Sequence, residues 1–178
     1  MGITIKKAWR HFRTITRHRH LVIRHCKKAG ILWQGLRHDL SKYTPTEFLA
    51  GARYYTNGTK SPNEKEREIY GYSPAWLHHK GRNRHHFEYW NDYSPKAGRV
   101  VPVPMPLRYV KELVCDRIAA SKIYQGENYT QRHPLDYYLR GDANRFIAPE
   151  TSSLITELLT LLAEEGEDAV FARLKAMQ

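Results

Sequence analysis

The sequence predicts an all-α fold, a bundle of about seven or eight helices, and three observations predict it. Apolar residues recur at three- and four-residue steps through most of the 178 residues, the spacing that places them on one side of a helix. Thr-Pro or Ser-Pro pairs open segment after segment, at Thr44-Pro45, Ser61-Pro62 and Ser73-Pro74. Proline fits a first helical position because its missing N–H does no harm there. Strand-like alternation is nearly absent.

Taken in order, Ile5, Ala8, Trp9, Phe12, Ile15, Val22, Ile23 and Cys26 mark one long amphipathic helix that Gly30 stops. A shorter apolar run from Ile31 to Leu40 carries His38 and Asp39. In Thr44-Pro45-Thr46-Glu47, Thr44 can cap free amides and Glu47 can close a capping box. Ser61-Pro62-Asn63-Glu64 predicts a helix to about Gly71, and Ser73-Pro74 another carrying Trp76, Leu77, His78 and His79. Gly81-Arg82-Asn83 reads as a turn before the aromatic segment His85 to Trp90. Pro102, Pro104 and Pro106 make Val100 to Val103 extended, and Pro106 opens a long helix to Gly126. A short turn from Leu135 to Leu139, a leucine-rich helix from Ser153 and a last helix from Ala169 to Met177 follow.

The length is that of one domain able to bury a core unaided. With 41% hydrophobic residues, 12% aromatic residues and 4 Trp, disorder is excluded. Cys26 and Cys115 are too few for a disulfide framework or a cysteine-rich zinc module, so plain thiols in a reducing, cytoplasmic setting are expected. No run of about 20 apolar residues predicts a membrane span. The 29 Lys+Arg against 18 Asp+Glu leave +11, unevenly spread: residues 1–37 hold ten Lys or Arg and no acid. Such a field faces phosphate, on a nucleotide or a nucleic acid. The Arg-rich start shares its bias with a transit peptide, but it is poor in serine and runs unbroken into the helical pattern.

Ten histidines are many for this length, and nine precede residue 90. His18, His38-Asp39, His78/His79 and His85/His86 offer imidazole and carboxylate from several helices, the donor set of a first-row divalent metal. Taken singly, each histidine also suits the surface of a basic protein. His11, His18 and His25, spaced by seven, form one line along the first helix. Asp116 falls on the apolar side of its helix with Tyr109, Leu113, Ala120 and Ile123. A buried carboxylate there needs a metal, a histidine or an arginine such as Arg117. Tyr43, Tyr54, Tyr55, Tyr72, Tyr89 and Trp90 could stack on a base, although aromatics at helical spacing mostly serve packing.

The order His18, His38-Asp39, Asp116 resembles that of the HD-domain superfamily, all-helical metal-dependent phosphohydrolases. His38-Asp39-Leu40-Ser41-Lys42 and His85-His86-Phe87-Glu88-Tyr89-Trp90-Asn91-Asp92-Tyr93 are similar to segments of its di- and trinuclear branches, without the glycines those branches carry after the His-His pair. The resemblance implies one or two transition metal ions (Mn, Fe, Ni, Co or Zn) held by His18, His38, Asp39, His79, His85, His86 and Asp116. It implies Asp39 and Lys42 as catalytic residues, and Lys42, Lys80, Arg82 and Arg84 as contacts to a phosphorylated small molecule or nucleotide. Asn83 and Glu88 are candidates to orient ligands. Residues 1–148 would form the HD-like domain, with the C-terminal helices of 149–178 packed on it or joining a homodimer. The whole chain also resembles a small uncharacterised family of bacterial and phage proteins, through Gln34-Gly35-Leu36, His38 to Tyr43 and His78 to Trp90.

Two other functions fit the residues. Histidine and carboxylate ligation suits a di-iron oxygenase of HD type equally well. A non-catalytic, basic, nucleic-acid-binding helical protein would use the surface of residues 1–37, without any helix-turn-helix or zinc-finger signature.

Overall fold

The computed structural model of the chain describes residues 2–56, 61–141 and 146–177. Among them are α1 (Ile5–Lys28), α2 (Leu32–Gly35), α3 (Pro45–Arg53), α4 (Pro62–Tyr70), α5 (Pro74–Arg82), α6 (Leu107–Gln125), α7 (His133–Leu139), α8 (Pro149–Glu165) and α9 (Glu167–Ala176). A single antiparallel hairpin among the described residues, β1 (Asn91–Ser94) and β2 (Arg99–Pro102), pairs Asn91 with Pro102 and Ser94 with Arg99. The fold is all-α as expected, with nine helices among the described residues rather than seven or eight. No helix among them is long and apolar enough to cross a membrane.

Local chemistry explains both the matches and the differences. Ser73 caps α5 by accepting the Trp76 N–H at 3.0 Å, and its own hydroxyl donates to Glu66 of α4 at 2.5 Å. Thr44 does not cap α3: its hydroxyl donates to the Ser41 carbonyl at 2.7 Å, and Glu47 turns away toward histidines of α5. The capping box is therefore absent, because a stronger partner claims the carboxylate. Helix α5 runs through Arg82, so the expected turn begins only at Asn83. Helix α8 starts at Pro149, four residues before the predicted start, with proline in its first turn. Strand β1 lacks apolar alternation, so only its partner's extended stretch was legible.

The core lies between α1, α6, α8 and α9. Val22 and Cys26 of α1 meet Val114, Cys115 and Ile118 of α6, and Ile155, Leu158, Leu159 and Leu162 of α8 join Val170 and Leu174 of α9, all in one buried cluster. Each large aliphatic side chain buried there contributes about 1.5–3 kcal/mol. The leucine-rich helix thus spends its apolar face inside the chain.

Helix α1 buries a different stripe from the one its hydropathy suggests. His11, Ile15, His18, Val22, His25 and Cys26 face inward, whereas Ile5 is 91% and Trp9 59% exposed. Histidine outranks isoleucine here because each inward ring has a specific neighbour. His11 packs over Gly51 of α3, where a Cβ would stand 2.2 Å from its Nε2, and the His25 Nδ1–H donates to the Cys115 carbonyl at 3.1 Å. The line of three histidines therefore serves three places, of which only His18 belongs to the site below.

Burial is the main cause holding His11 and His25 down to about 4 from an ordinary 6.5, so both are neutral when folded at neutral pH. Below 6.5 the unfolded chain binds protons that the native state refuses, so stability drops as pH falls from about 6.5 to 4. At pH 4.5, His25 should account for about 2 kcal/mol of that loss. In urea unfolding at pH 7 and pH 4.5, a His25→Gln variant, which keeps a donor for Cys115, is expected to lose less stability on acidification than the wild type. Equal losses in the two proteins would contradict this.

Candidate metal centre

The site is built around a loop with one residue in the left-handed conformation. Asp39, between α2 and the 3-10 turn Leu40–Tyr43, is the one non-glycine described residue with positive φ, at 54°. Aspartate and asparagine tolerate this left-handed conformation better than most residues. Arg19 of α1 clamps the loop by donating to the carbonyls of His38, at 3.2 Å, and of Leu36. The bend points the Asp39 carboxylate into the bundle, where its side chain is 2% exposed.

Two sets of ligand atoms meet at that carboxylate. On one side, His18 of α1 brings Nε2 to 2.9 Å from Asp116 Oδ1 and 3.8 Å from Asp39 Oδ2, while His38 Nε2 lies 3.2 Å from Asp39 Oδ2 and 3.4 Å from Asp116 Oδ1. On the other, Asp39 Oδ1 stands 3.3 Å from His79 Nε2 and 3.6 Å from His85 Nε2, and His79 and His86 approach Nε2 to Nε2 at 2.9 Å. Within each of the sets His18, His38, Asp39, Asp116 and Asp39, His79, His85, His86, the ligand atoms lie within 4.8 Å of one another. All seven residues expected as metal ligands come together, with Asp39 common to both sets.

The outward nitrogens of these rings are fixed by carboxylates. Glu112 of α6 accepts the Nδ1–H of His38 at 2.8 Å and of His85 at 3.1 Å, and is itself held by the Gln34 amide. Glu47 of α3 accepts from His79 Nδ1 at 2.8 Å and from His78 Nδ1 at 2.6 Å. With Nδ1 protonated, the Nε2 lone pairs of His38, His79 and His85 face inward, the arrangement in which an imidazole binds a metal. His38, His85 and Glu112 also form a compact group, but their Nδ1–H bonds already account for it. His78 is drawn off by Glu47, so His79 is the member of that doublet that enters the site.

The protein's own groups leave the site unbalanced. His18 Nε2, His38 Nε2, His85 Nε2 and both Asp39 oxygens are buried without a well-aligned hydrogen bond, their near neighbours being one another, Asp116 and the Lys42 ammonium. Orphaned buried polar atoms cost free energy and are rare in native proteins. Among the described residues, Lys42, with Nζ 2.5 Å from Asp39 Oδ2, is the permanent cation in ion-pair contact with Asp39, Asp116, Glu112 or Glu47. Burial would raise the pKa of these acids, but neighbours reverse it: His38, Lys42 and His79 hold Asp39 well below the usual carboxylate range, His18 and His38 do so for Asp116, and Glu112 sits at about 2. Burial would lower His38, yet Asp39, Asp116 and Glu112 push it well above 6.5, whereas burial leaves His18 and His86 lowered. Ionised carboxylates gathered with the Nε2 atoms of five histidines fit a divalent cation in donor type, charge and number, and such a cation would take the place of a proton on His38.

A cavity of about 170 Å³ opens beside the cluster, lined by His18, His79, His86 and Asp116 together with Lys42, Trp76, Arg117 and Tyr124. The three other cations expected at substrate lie elsewhere. A helix turns about 100° per residue, so Lys80 leaves the face of α5 that carries His79, and Arg82, at the last turn, donates instead to the His78 carbonyl. Lys80 lines a separate cleft with Glu88 and Tyr137, while Arg82 and Arg84 line one behind Glu112 with Trp33 and Arg108. Arg117, considered from sequence only as a salt-bridge partner for Asp116, is the second cation at the cavity. Glu47 and Glu112 went unnoticed as well. Glu47 had a ready explanation as a cap, and Glu112 gave its signal one turn before Asp116 on the same helix. Asn83 donates to Ser41 Oγ at 2.8 Å and lies 3.1 Å from His79 Nδ1, beside the ring it was expected to orient.

No curated protein and no solved structure matches the chain. A family profile described as a family of unknown function (DUF5662) matches residues 7–161, from α1 into α8, and so takes in all seven clustered residues together with Glu47 and Glu112. The chain belongs to the family of unknown function DUF5662.

Proposed function

We propose that this chain is a metal-dependent phosphohydrolase of HD-like type, acting on a phosphorylated small molecule or nucleotide. The observation that carries the proposal is the convergence of five buried ligand atoms on His18, His38, His85 and Asp39, none with a well-aligned hydrogen bond, beside a cavity that Lys42 and Arg117 line. When bound, one or two divalent ions supply Lewis acidity, lowering the pKa of water and polarising a phosphoryl oxygen. His18, His38, Asp39 and Asp116 would hold one position, and Asp39, His79, His85 and His86 the other.

The chain's own groups do the rest. Glu112 and Glu47 keep the imidazoles in the ligating tautomer. Burial alone would make Lys42 easier to deprotonate, but Asp39 and Asp116 keep it charged, so it offers phosphate a fixed cation. Trp76 and Tyr124 wall the cavity.

The test uses bis(p-nitrophenyl) phosphate and a nucleotide panel with Mn²⁺. Chelator-sensitive hydrolysis restored by Mn²⁺ is expected, with kcat/KM lowered about 100-fold by Lys42→Ala, the loss typical of one charge-stabilising donor. A metal-replete protein that cleaves no phosphate ester overturns the reading. An iron-loaded protein that instead consumes O2 replaces it with the oxygenase alternative, which the same donor set would serve.

A further inference from the structure

The outer side of α1 carries a feature that the metal centre does not use. Arg10, Arg13, Arg17, His20 and Arg24 recur at steps of three and four, a row about 21 Å long at 1.5 Å per residue, on the side turned away from the core. They line a concave groove of about 780 Å³ together with Phe12, Thr14 and Tyr55. Among the described residues no carboxylate pairs with Arg13, Arg17 or Arg24, and residues 1–37 contain no acid at all. Beside the arginines stand exposed rings: Trp9 is 59% and Phe12 37% exposed, stacked on each other with centroids 5.8 Å apart.

We infer that this face of α1 binds single-stranded nucleic acid. Arginines at one-turn spacing match a chain of phosphates, because each guanidinium can engage two phosphate oxygens at once. Exposed aromatic rings beside such a track stack on unpaired bases of any sequence. A duplex hides its bases and would leave Trp9 and Phe12 without that role. An anionic membrane is the weaker fit, since a helix lying in a lipid interface buries a broad apolar face along its length, and the large apolar side chains that α1 exposes, Ile5, Trp9 and Phe12, are confined to its first turns. The groove also touches the interior. Thr14 and Tyr55, joined by a 2.8 Å hydrogen bond between their hydroxyls, line both it and a small cavity that reaches Lys42 and His79. A strand held on α1 would therefore pass the approach to the metal centre, although the binding itself does not depend on that centre.

Fluorescence anisotropy with a labelled 20-nucleotide oligo-dT tests this on the full chain. Binding in the micromolar range at 50 mM salt is expected, weakening with a slope of log K against log salt of about −3, the value for some four phosphates neutralised on a single strand. The double replacement Arg13→Glu/Arg17→Glu, both exposed, is expected to weaken binding at least tenfold with an unchanged melting temperature, and Trp9→Ala about fivefold. Asp39→Asn should leave binding intact, which separates failure here from failure of the hydrolase reading. No binding by the wild type, or equal binding by the charge-reversed variant, overturns the inference. Tighter binding of a duplex of the same length overturns the assignment to single strands. Binding to phosphatidylglycerol vesicles without binding to the oligonucleotide assigns the face to lipid instead.

Discussion

Asp39→Asn is expected to remove both metal positions at once, lowering affinity for Mn²⁺ or Zn²⁺ by at least about 100-fold, the upper end of the loss seen when only an outer partner of a ligand is removed. The expectation rests on one carboxylate serving two clusters, with Oδ1 facing His79 and His85, and Oδ2 facing His18 and His38. Asparagine keeps the shape and accepts the left-handed backbone at this position, so the loop and the fold should survive. His18→Ala, which touches one cluster alone, should leave the second position able to bind. Isothermal titration of the metal-stripped proteins separates the cases. An Asp39→Asn variant that binds metal as tightly as the wild type would remove Asp39 from the centre.

Glu112→Ala should be the most damaging change to stability among the residues around the site. It strands the Nδ1–H groups of His38 and His85 in a buried environment, while the Gln34 amide keeps the Arg108 carbonyl. Breaking a buried charged network by deleting one partner costs about 3–5 kcal/mol, equivalent to a drop of about 10 °C in a protein of this size. Metal affinity should fall a further 10- to 100-fold, because the rings lose the partner that fixes their tautomer. Glu112→Gln retains one acceptor oxygen and is expected to sit between alanine and wild type in a thermal melt with and without Zn²⁺. The pH dependence has a defined sign. The folded carboxyl lies at about 2 against an ordinary 4.5, so its contribution is full above 4.5 and is lost as pH falls toward 2. An alanine variant that melts with the wild type would show that Glu112 bears no such load.

Helical periodicity and the proline starts made the bundle legible in the sequence, and the residue types His, Asp and their order made the seven clustered side chains legible too. What could not be read was which side of α1 turns inward. Ile5, Trp9 and Phe12 satisfy the apolar spacing as well as Ile15 and Val22 do, and only the packing of His11 on Gly51 and of His25 on α6 decides between stripes. The supporting glutamates were hidden for a related reason. A carboxylate after Thr-Pro has a local use as a cap, and nothing within its own segment shows that His78 and His79, more than thirty positions later, will claim it. The placing of Lys80, Arg82 and Arg84 depended on helix rotation past the end of α5, where the sequence suggested a turn and the chain remains helical through Arg82.

Metal analysis of the protein purified without chelator tests the central claim most directly. Inductively coupled plasma mass spectrometry should find about one to two first-row transition metal ions per chain, the number that two clusters sharing Asp39 accommodate. A folded protein with no transition metal above the buffer background, and none taken up on incubation with Mn²⁺, Fe²⁺ or Zn²⁺, would contradict it.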